Sequence, residues 1–576
     1  MSLQSNQGAA DDVLAQAEAW RAQDPDAETR AELAALITAA SAGNAEALTE
    51  LHARFDERLE FGTAGLRGRI EAGSARMNRV LVSQAAAGLA AYLLSTSDAP
   101  SVVIGYDGRK NSRVFAEDTA ELMAGAGVRA ILLPRLLPTP VLAFAVRHLD
   151  TDAGVMVTAS HNPPQDNGYK VYLGKENHGS QIVSPADADI ATQILLVAAN
   201  DNVLELPRGS YEIADDEVVD EYVRLTASLA TASRGAGEPG GPTETDGIRF
   251  VYTAMHGVGW ETAKRVFAAA GFSEPITVTE QIEPDAAFPT VAFPNPEEPG
   301  AMDLAFARAA ASSADFVIAN DPDADRLAVA IPDGPADVVA SWRRLSGNEV
   351  GYLLGWRVAT RLARAGDEGT LAASIVSSPA LAAVARHYRL DYVDTLTGFK
   401  WVSRAPGLAF GFEEALGYLV DPEIIRDKDG ISAAVEFLSL MTELKAEGKT
   451  LLDHENEFAD KFGAYASSQI SIRVTELTDI SRMMNSLRQN LPESVGTVRV
   501  DHIDDFVDGF EQFPPGDILR IWLVDGSRVI VRPSGTEPKL KVYIDASSTT
   551  GTAQERRAAA ERTVAELDAA MRTLLG

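Results

Sequence analysis

Apolar positions recur along the chain with two different rhythms. Over the first sixty residues they return at helical spacing, with Leu33, Ile37 and the alanines around them on one face, so this stretch is expected to lie as helices on the surface of a larger body. Asp24, followed by Pro25 and Asp26, is expected to start one of these helices, because an acidic cap accepts an orphan amide and proline fits a first turn. From about Val80 to Leu206 short apolar runs alternate with helical stretches: SVVIGYDGR, a helix near Val114–Gly127, then RAILLP and GVMVTASHNP. This alternation predicts parallel βαβ units. A second such region begins near Ile248, with IRFVYTAMHG, EPITVTE and ADFVIANDPDADR as strands; a third begins near Asp337, with helices around Leu353–Arg364 and Ala380–Tyr388. The Gly-, Pro- and Ser-rich stretch 233–247 reads as a linker or an exposed loop. After about Ala464 the pattern changes. ILRIWLVDGSRVIVRPSGTEPKLKVYIDA predicts three strands in succession, the first two turned by Asp525-Gly526, and an Ala- and Glu-rich helix ends the chain.

Composition narrows the function. A chain of 576 residues is long enough for about four domains, and 46% hydrophobic with 23% charged residues is ordinary globular usage. The 51 Lys and Arg against 83 Asp and Glu leave a formal charge of −32, which argues against nonspecific attraction to nucleic acid or to an anionic membrane. An anionic substrate would need basic residues gathered locally. With no cysteine, disulfides, thiolate nucleophiles and cysteine-based metal sites are excluded. The start, MSLQSNQGAADDV, lacks a secretion signal, and no apolar run reaches membrane-spanning length, so a cytoplasmic location is expected.

Three segments carry chemistry. In DPDADR, Asp321, Asp323 and Asp325 alternate directly after an apolar strand, so their carboxylates can converge on one hard divalent cation, with Mg²⁺ favoured. Such a run also occurs as a solvated acidic turn, but an EF-hand is excluded because Arg326 and Pro332 stand where that loop needs Gly and Glu. In TASHNPPQDNGYK, Ser160 follows a strand in a loop stiffened by Pro163 and Pro164, which suits a nucleophile or phosphate carrier as well as a capped turn. The glycines of a hydrolase nucleophile elbow are missing, and adjacency alone does not make His161 part of a triad. In RPSGTEPK, Ser534, Gly535 and Thr536 can turn amides and hydroxyls toward an anion while Arg532 adds a two-pronged donor. Lys400 in TLTGFKW and the pair Glu413 and Glu414 in GFEEALGY signify little alone. The dinucleotide-like GAGEPG at Gly235–Gly240 is rejected because Pro239 and Pro242 place it in a loop, and no Walker A motif is present.

Taken together and in order, TASHNP, the DxDxDR loop, a glutamate-containing loop and RPSGTEP resemble the α-D-phosphohexomutase superfamily over nearly the whole chain. The resemblance implies three successive α/β domains with mixed sheets sandwiched by helices, plus a C-terminal α+β domain with an antiparallel sheet, divided as 1–208, 209–335, 336–460 and 461–576. It implies that Ser160 is phosphorylated and that one Mg²⁺ is held by Asp321, Asp323, Asp325 and a phosphoserine oxygen, with Arg326 on the same phosphoryl group. Glu413 and Glu414 would recognise sugar hydroxyls, and Arg532, Ser534, Gly535, Thr536 and Lys541 would grip the phosphate that stays in place. Arg67, in FGTAGLRG, matches a basic N-terminal loop. Lys170 is the first assignment for proton transfer and His161 the second, with Lys400 a further contact to substrate.

The expected reaction moves phosphate between C1 and C6 of a hexose or C1 and C5 of a pentose. It runs through a phosphoserine enzyme and a bisphosphosugar intermediate, with sugar bisphosphate as activator. Phosphoglucomutase activity is the first expectation, with phosphopentomutase or phosphomannomutase as alternatives and, behind them, a sugar-bisphosphate synthase or a non-catalytic sugar-phosphate binder. The expected assembly is a monomer or homodimer. Pro322 and Ala324 replace the glycines of the commoner DGDGDR, and Ala415 replaces a serine after the second glutamate, while DNGYKVY, TGFKW and FEEALGY look most like the phosphopentomutase-type branch.

Overall fold

The computed structural model describes residues 2–232, 247–474, 477–534 and 539–575. It divides into two compact units: Met1–Arg344 with Asp421–Glu436, and Leu345–Val420 with Phe437–Gly576. The rejected GAGEPG segment, most of the presumed linker, and Gly535 and Thr536 lie outside the described residues.

The first unit opens with the helices Ser2–Gln23, Ala27–Ser41 and Ala45–Phe55. Trp20, Leu33, Ile37, Leu51 and Phe55 bury their apolar face together with Ala72, Val80 and Val203. The second helix is capped by Asp26, whose side chain accepts from the Glu28 amide, and not by Asp24. Asp24 is instead buried between helices, accepting from the Asp26 amide at 2.9 Å and the Thr29 hydroxyl at 2.6 Å. Pro25 therefore lies before the cap instead of within the first turn, as a rigid joint between the two helices.

The first sheet runs in the order Leu66–Arg69, Asp166–Leu173, Ala153–Val157, Ser101–Tyr106, Arg129–Leu132, Glu212–Ile213, with Ser180–Gln181 against Asp166–Leu173. Its centre is parallel, as the β-helix alternation predicts, and Asp166–Leu173 returns antiparallel beside Ala153–Val157. That return is made by the serine loop itself. The wholly apolar strands are buried on both faces, and their residues form the largest part of this core together with the helix Arg79–Thr96. The second sheet has the order Trp342–Arg344, Leu327–Pro332, Phe316–Asn320, Phe250–Thr253, Ile276–Thr277. Phe316–Asn320 pairs parallel to Phe250–Thr253 and antiparallel to Leu327–Pro332, so the acidic loop is the tight connection between two buried strands.

The second unit holds a four-stranded sheet, Asp391–Thr395, Thr370–Ser374, Leu408–Glu413, Gly417–Leu419, and a six-stranded antiparallel sheet, Ala464–Arg473, Lys539–Ser548, Arg528–Pro533, Leu519–Leu523, Val498–Asp505, Ser494–Val495. The three strands expected in succession are its centre. Gly526 turns the hairpin at φ 86°, and the Asp525 side chain accepts from the Ser527 amide at 3.0 Å. The helix Ala553–Leu575 packs Val564, Leu567 and Met571 into this core. Among the described residues no helix is long and apolar enough to cross a membrane.

Candidate active site

Ser160 stands where the buried strand Ala153–Val157 ends. Its backbone adopts the left-handed conformation at φ 52°, and its amide donates to Thr158 Oγ1 at 2.9 Å, so the chain turns sharply and the side chain is buried at 2% exposure. Left-handed backbone at a non-glycine residue costs about 1–2 kcal/mol and persists only where the surroundings impose it. Arg109, in the loop after the adjacent parallel strand, supplies that constraint. Its guanidinium donates to the carbonyls of Ser160 at 2.6 Å, Asn162 at 2.7 Å, Pro163 at 2.8 Å and Asp166 at 3.2 Å, and its Nε lies 3.4 Å from Asp107. One planar fork thus fixes the whole turn. Arg67, opposite Gly168 on the neighbouring strand, adds a bond to Asn162 Oδ1 at 3.1 Å.

The serine hydroxyl reaches the acidic loop. Ser160 Oγ donates to Asp321 Oδ2 at 2.9 Å and lies 3.2 Å from His161 Nδ1. Asp321, Asp323 and Asp325 are all fully buried, and one carboxylate oxygen from each falls within 4.8 Å of the others. Their spacing is set by the left-handed turn at Ala324, φ 55°, where the Ala324 amide donates to the Asp321 carbonyl. Gly257 is required beneath this turn, since a Cβ there would come within 2.3 Å of the Pro322 backbone. The other edges of the carboxylates are spoken for: Thr139 Oγ1 donates to Asp323 Oδ2 at 2.7 Å, Lys170 Nζ to Asp323 Oδ2 at 2.8 Å and Asp325 Oδ2 at 3.0 Å, and the Arg326 amide to Asp321 Oδ1 at 3.0 Å. Lys428 Nζ lies 2.7 Å from Asp325 Oδ2, and Arg326 Nε lies 3.8 Å from both Asp321 and Asp325.

What remains is diagnostic. Asp323 Oδ1 and Asp325 Oδ1 are buried and accept no hydrogen bond. Two orphaned carboxylate oxygens beside a third carboxylate form a hard, all-oxygen donor set that fits a divalent cation such as Mg²⁺. The electrostatics point the same way: burial, with Asp323 and Asp325 beside it, pushes the Asp321 carboxyl well up. Burial would raise Asp323 too, but Lys170 and Lys428 overcome it and hold that carboxyl below the usual range. Burial, with Arg326 and Arg67 nearby, lowers the His161 imidazolium and favours the neutral ring.

In the second unit, the TGFKW turn meets the glutamate loop. The Gly398 amide donates to Glu413 Oε1 at 2.6 Å, and Lys400 follows in the short helix Phe399–Val402. Glu414 Oε2 accepts from Ser374 and Ser377, both at 3.2 Å. Arg532 sits in register opposite Lys541, and Ser534 donates its amide to the Lys539 carbonyl at 2.8 Å. Burial and Glu414 raise the Tyr543 hydroxyl, with Arg532 opposing them and Glu413 adding to them. Ser160, His161, Lys170, Arg326 and the three aspartates thus lie together in the first unit, with Arg67 bonded to the serine loop, while in the second unit the turn before Lys400 meets Glu413; Gly535 and Thr536 lie outside the described residues. Sequence reasoning missed Arg109, Thr139, Lys428 and Tyr543.

The chain matches four family models in order: the phosphoglucomutase/phosphomannomutase alpha/beta/alpha domains I, II and III over residues 58–199, 240–334 and 346–462, and the C-terminal domain over 471–562. It is 56% identical over 500 residues to a Haemophilus influenzae protein named "Probable phosphomannomutase", covering 87% of this chain and 98% of that one. It is 34% identical over 550 residues to the phosphopentomutase of Homo sapiens, covering 87% of each. In fold it resembles the Paramecium phosphoprotein pp63/parafusin in its open form, with a TM-score of 0.66 at 20% identity over 89% of this chain and 95% of that one.

Proposed function

The chain belongs to the phosphoglucomutase/phosphomannomutase family of phosphosugar mutases, and on that premise we propose that it moves a phosphoryl group between C1 and C6 of a hexose, glucose first, through a phosphorylated Ser160. The observation that carries this reading is the buried Ser160 hydroxyl 2.9 Å from Asp321 within a trio that keeps two orphaned oxygens. In the first transfer the sugar's free hydroxyl attacks phosphorus, and the bond to Ser160 Oγ breaks, leaving a bisphosphosugar. After that intermediate turns around, the serine takes up the other phosphoryl group. Each transfer demands neutralisation of charge spread over the phosphoryl oxygens more than covalent help. Arg326 and the rigid Ser160 turn supply it, and Mg²⁺ seated on Asp321, Asp323, Asp325 and the phosphoserine would add Lewis-acid stabilisation.

Lys170 is our first assignment for moving the proton of the reacting hydroxyl, and His161 the second. Arg67 supports the serine loop from its flank. Glu413 and Glu414 hold sugar hydroxyls with Lys400 beside them, and Arg532, Ser534, Gly535, Thr536 and Lys541 hold the resting phosphate. A sugar bisphosphate is the activator that loads Ser160. A second reading, preference for a phosphopentose, is favoured by the relative named phosphopentomutase and by Ala415, which offers a methyl group beside Glu414.

A coupled assay on the 1-phosphates of glucose, mannose, ribose and deoxyribose, with and without bisphosphate, ranks the substrates. Ser160→Ala is expected to abolish turnover while sugar-phosphate binding stays measurable, and EDTA is expected to stop the wild type until Mg²⁺ is returned. Unchanged turnover in Ser160→Ala overturns the assignment.

A further inference from the structure

In the sequence IIRDKDGIS, Lys428 stands between two acids, yet it is only 8% exposed. It arrives on the segment Asp421–Glu436, which packs with the first unit although the residues on either side belong to the second. That segment is pinned at several points. Tyr172 and Gln181 donate to Asp427 Oδ2 at 2.9 and 3.1 Å, Tyr222 donates to Asp429 Oδ2 at 3.0 Å, and Arg147 donates to the Pro422 carbonyl at 2.8 Å. The Gly430 amide donates to the Ala324 carbonyl inside the acidic turn, and a Cβ at Gly430 would come within 2.1 Å of the Arg326 carbonyl. The acids flanking Lys428 are thus held by buried tyrosines, and its ammonium is delivered to Asp325 Oδ2 at 2.7 Å.

We propose that Lys428 is a positioning and charge-balancing residue of the acidic site, working through Asp325. Three cationic side chains touch or flank the three carboxylates: Lys170, Lys428 and Arg326. These three cations match the three carboxylates one for one. A divalent cation and a dianionic phosphoserine can then enter as a neutral pair, with neither left uncompensated in a buried site. Lys428 also turns Asp325 edge-on: with two ammonium groups on Oδ2, the orphaned Oδ1 is the oxygen left for the cation. Removing the charge leaves the trio one unit more negative, which favours the cation and disfavours the phosphoryl group.

This inference rests on the trio being a metal seat, and the experiment separates the two. Wild-type protein is titrated calorimetrically with Mg²⁺ and with Mn²⁺; absence of binding overturns the seat itself. Lys428→Met is expected to bind either cation about tenfold more tightly, to carry less phosphate on Ser160 by intact mass after bisphosphate treatment, and to turn over at least tenfold more slowly even at saturating Mg²⁺. Lys428→Arg, which keeps the charge, is expected to recover most of each property. Metal affinity and turnover both equal to wild type overturn the proposal. So does weaker metal binding whose turnover is fully restored by excess Mg²⁺, since that describes a metal clamp with no part in balancing the phosphoryl group. Should Lys428→Met fail to fold, Lys428→Gln is read by the same criteria.

Discussion

Arg109→Lys tests how the Ser160 turn is held. The guanidinium donates to four carbonyls between 2.6 and 3.2 Å and faces the buried Asp107. An ammonium at that depth keeps the charge, and with it the compensation of Asp107, but has three donors on one atom in place of a planar fork. It can serve the Asp107 side or part of the carbonyl ring, and about two carbonyls are left without a donor. Hydrogen bonds from a charged group are worth about 1.5–3 kcal/mol each. Allowing for rearrangement and for water reaching the loop, the net loss is about 3 kcal/mol, roughly a hundredfold in the population of the ordered turn. Hydrogen exchange of the amides from 158 to 168 is expected to accelerate about a hundredfold, with exchange in the helices of the second unit unchanged. Turnover is expected to fall by a similar factor with KM little altered, because what suffers is the placement of Ser160 and not the grip on sugar. Exchange and turnover both within threefold of wild type would refute the stapling argument.

Two further outcomes follow from local geometry. Ala324 is buried in a left-handed conformation, so Ala324→Gly relieves about 1 kcal/mol of strain but loses a buried methyl of similar worth and loosens the unfolded chain; its thermal midpoint and activity are expected to stay close to wild type. Ala324→Val, β-branched in the same backbone, is expected to lose about 3 kcal/mol and most activity, as read by thermal melting and assay. In the second unit His454 stacks on Trp356 at 4.3 Å, and burial, with Lys449 and Arg357 nearby and Glu457 opposing them, lowers its pKa to about 4. The folded state therefore resists a proton that the unfolded state accepts below about 6.5, so its contribution is present above that pH and lost as pH falls toward 4. Guanidinium melts followed by tryptophan fluorescence at pH 7 and 4.5 are expected to differ by up to about 2 kcal/mol less in His454→Phe than in wild type; equal differences exclude the histidine as the cause.

The parts of the site visible in the sequence are those whose chemistry is local. Ser160 and the three aspartates each announce themselves within a few residues of a strand end, because a strand that is apolar on both faces makes any polar residue just beyond it conspicuous. Arg109 follows a strand in the same manner, in YDGR, but a lone arginine in a turn looks solvated until the neighbouring loop's carbonyls are seen to converge on it. Lys428 is hidden for a stronger reason: its neighbours Asp427 and Asp429 look like solvent-facing charges, and the donors that satisfy them in the interior include Tyr172, Gln181 and Tyr222, from distant parts of the chain. The helix cap misassigned to Asp24 has a similar origin. Two acids flank Pro25, and composition alone does not say which one faces the free amides.

The return of residues 421–436 to the first unit has a consequence for biogenesis. A ribosome delivers the serine turn and the acidic turn long before Lys428 leaves the exit tunnel, so until then Asp325 lacks one of its two ammonium partners and Tyr172 and Tyr222 lack Asp427 and Asp429. Completion of that half waits on a stretch translated only after the whole of the next sheet, and the long loop it must close makes this a late event in maturation.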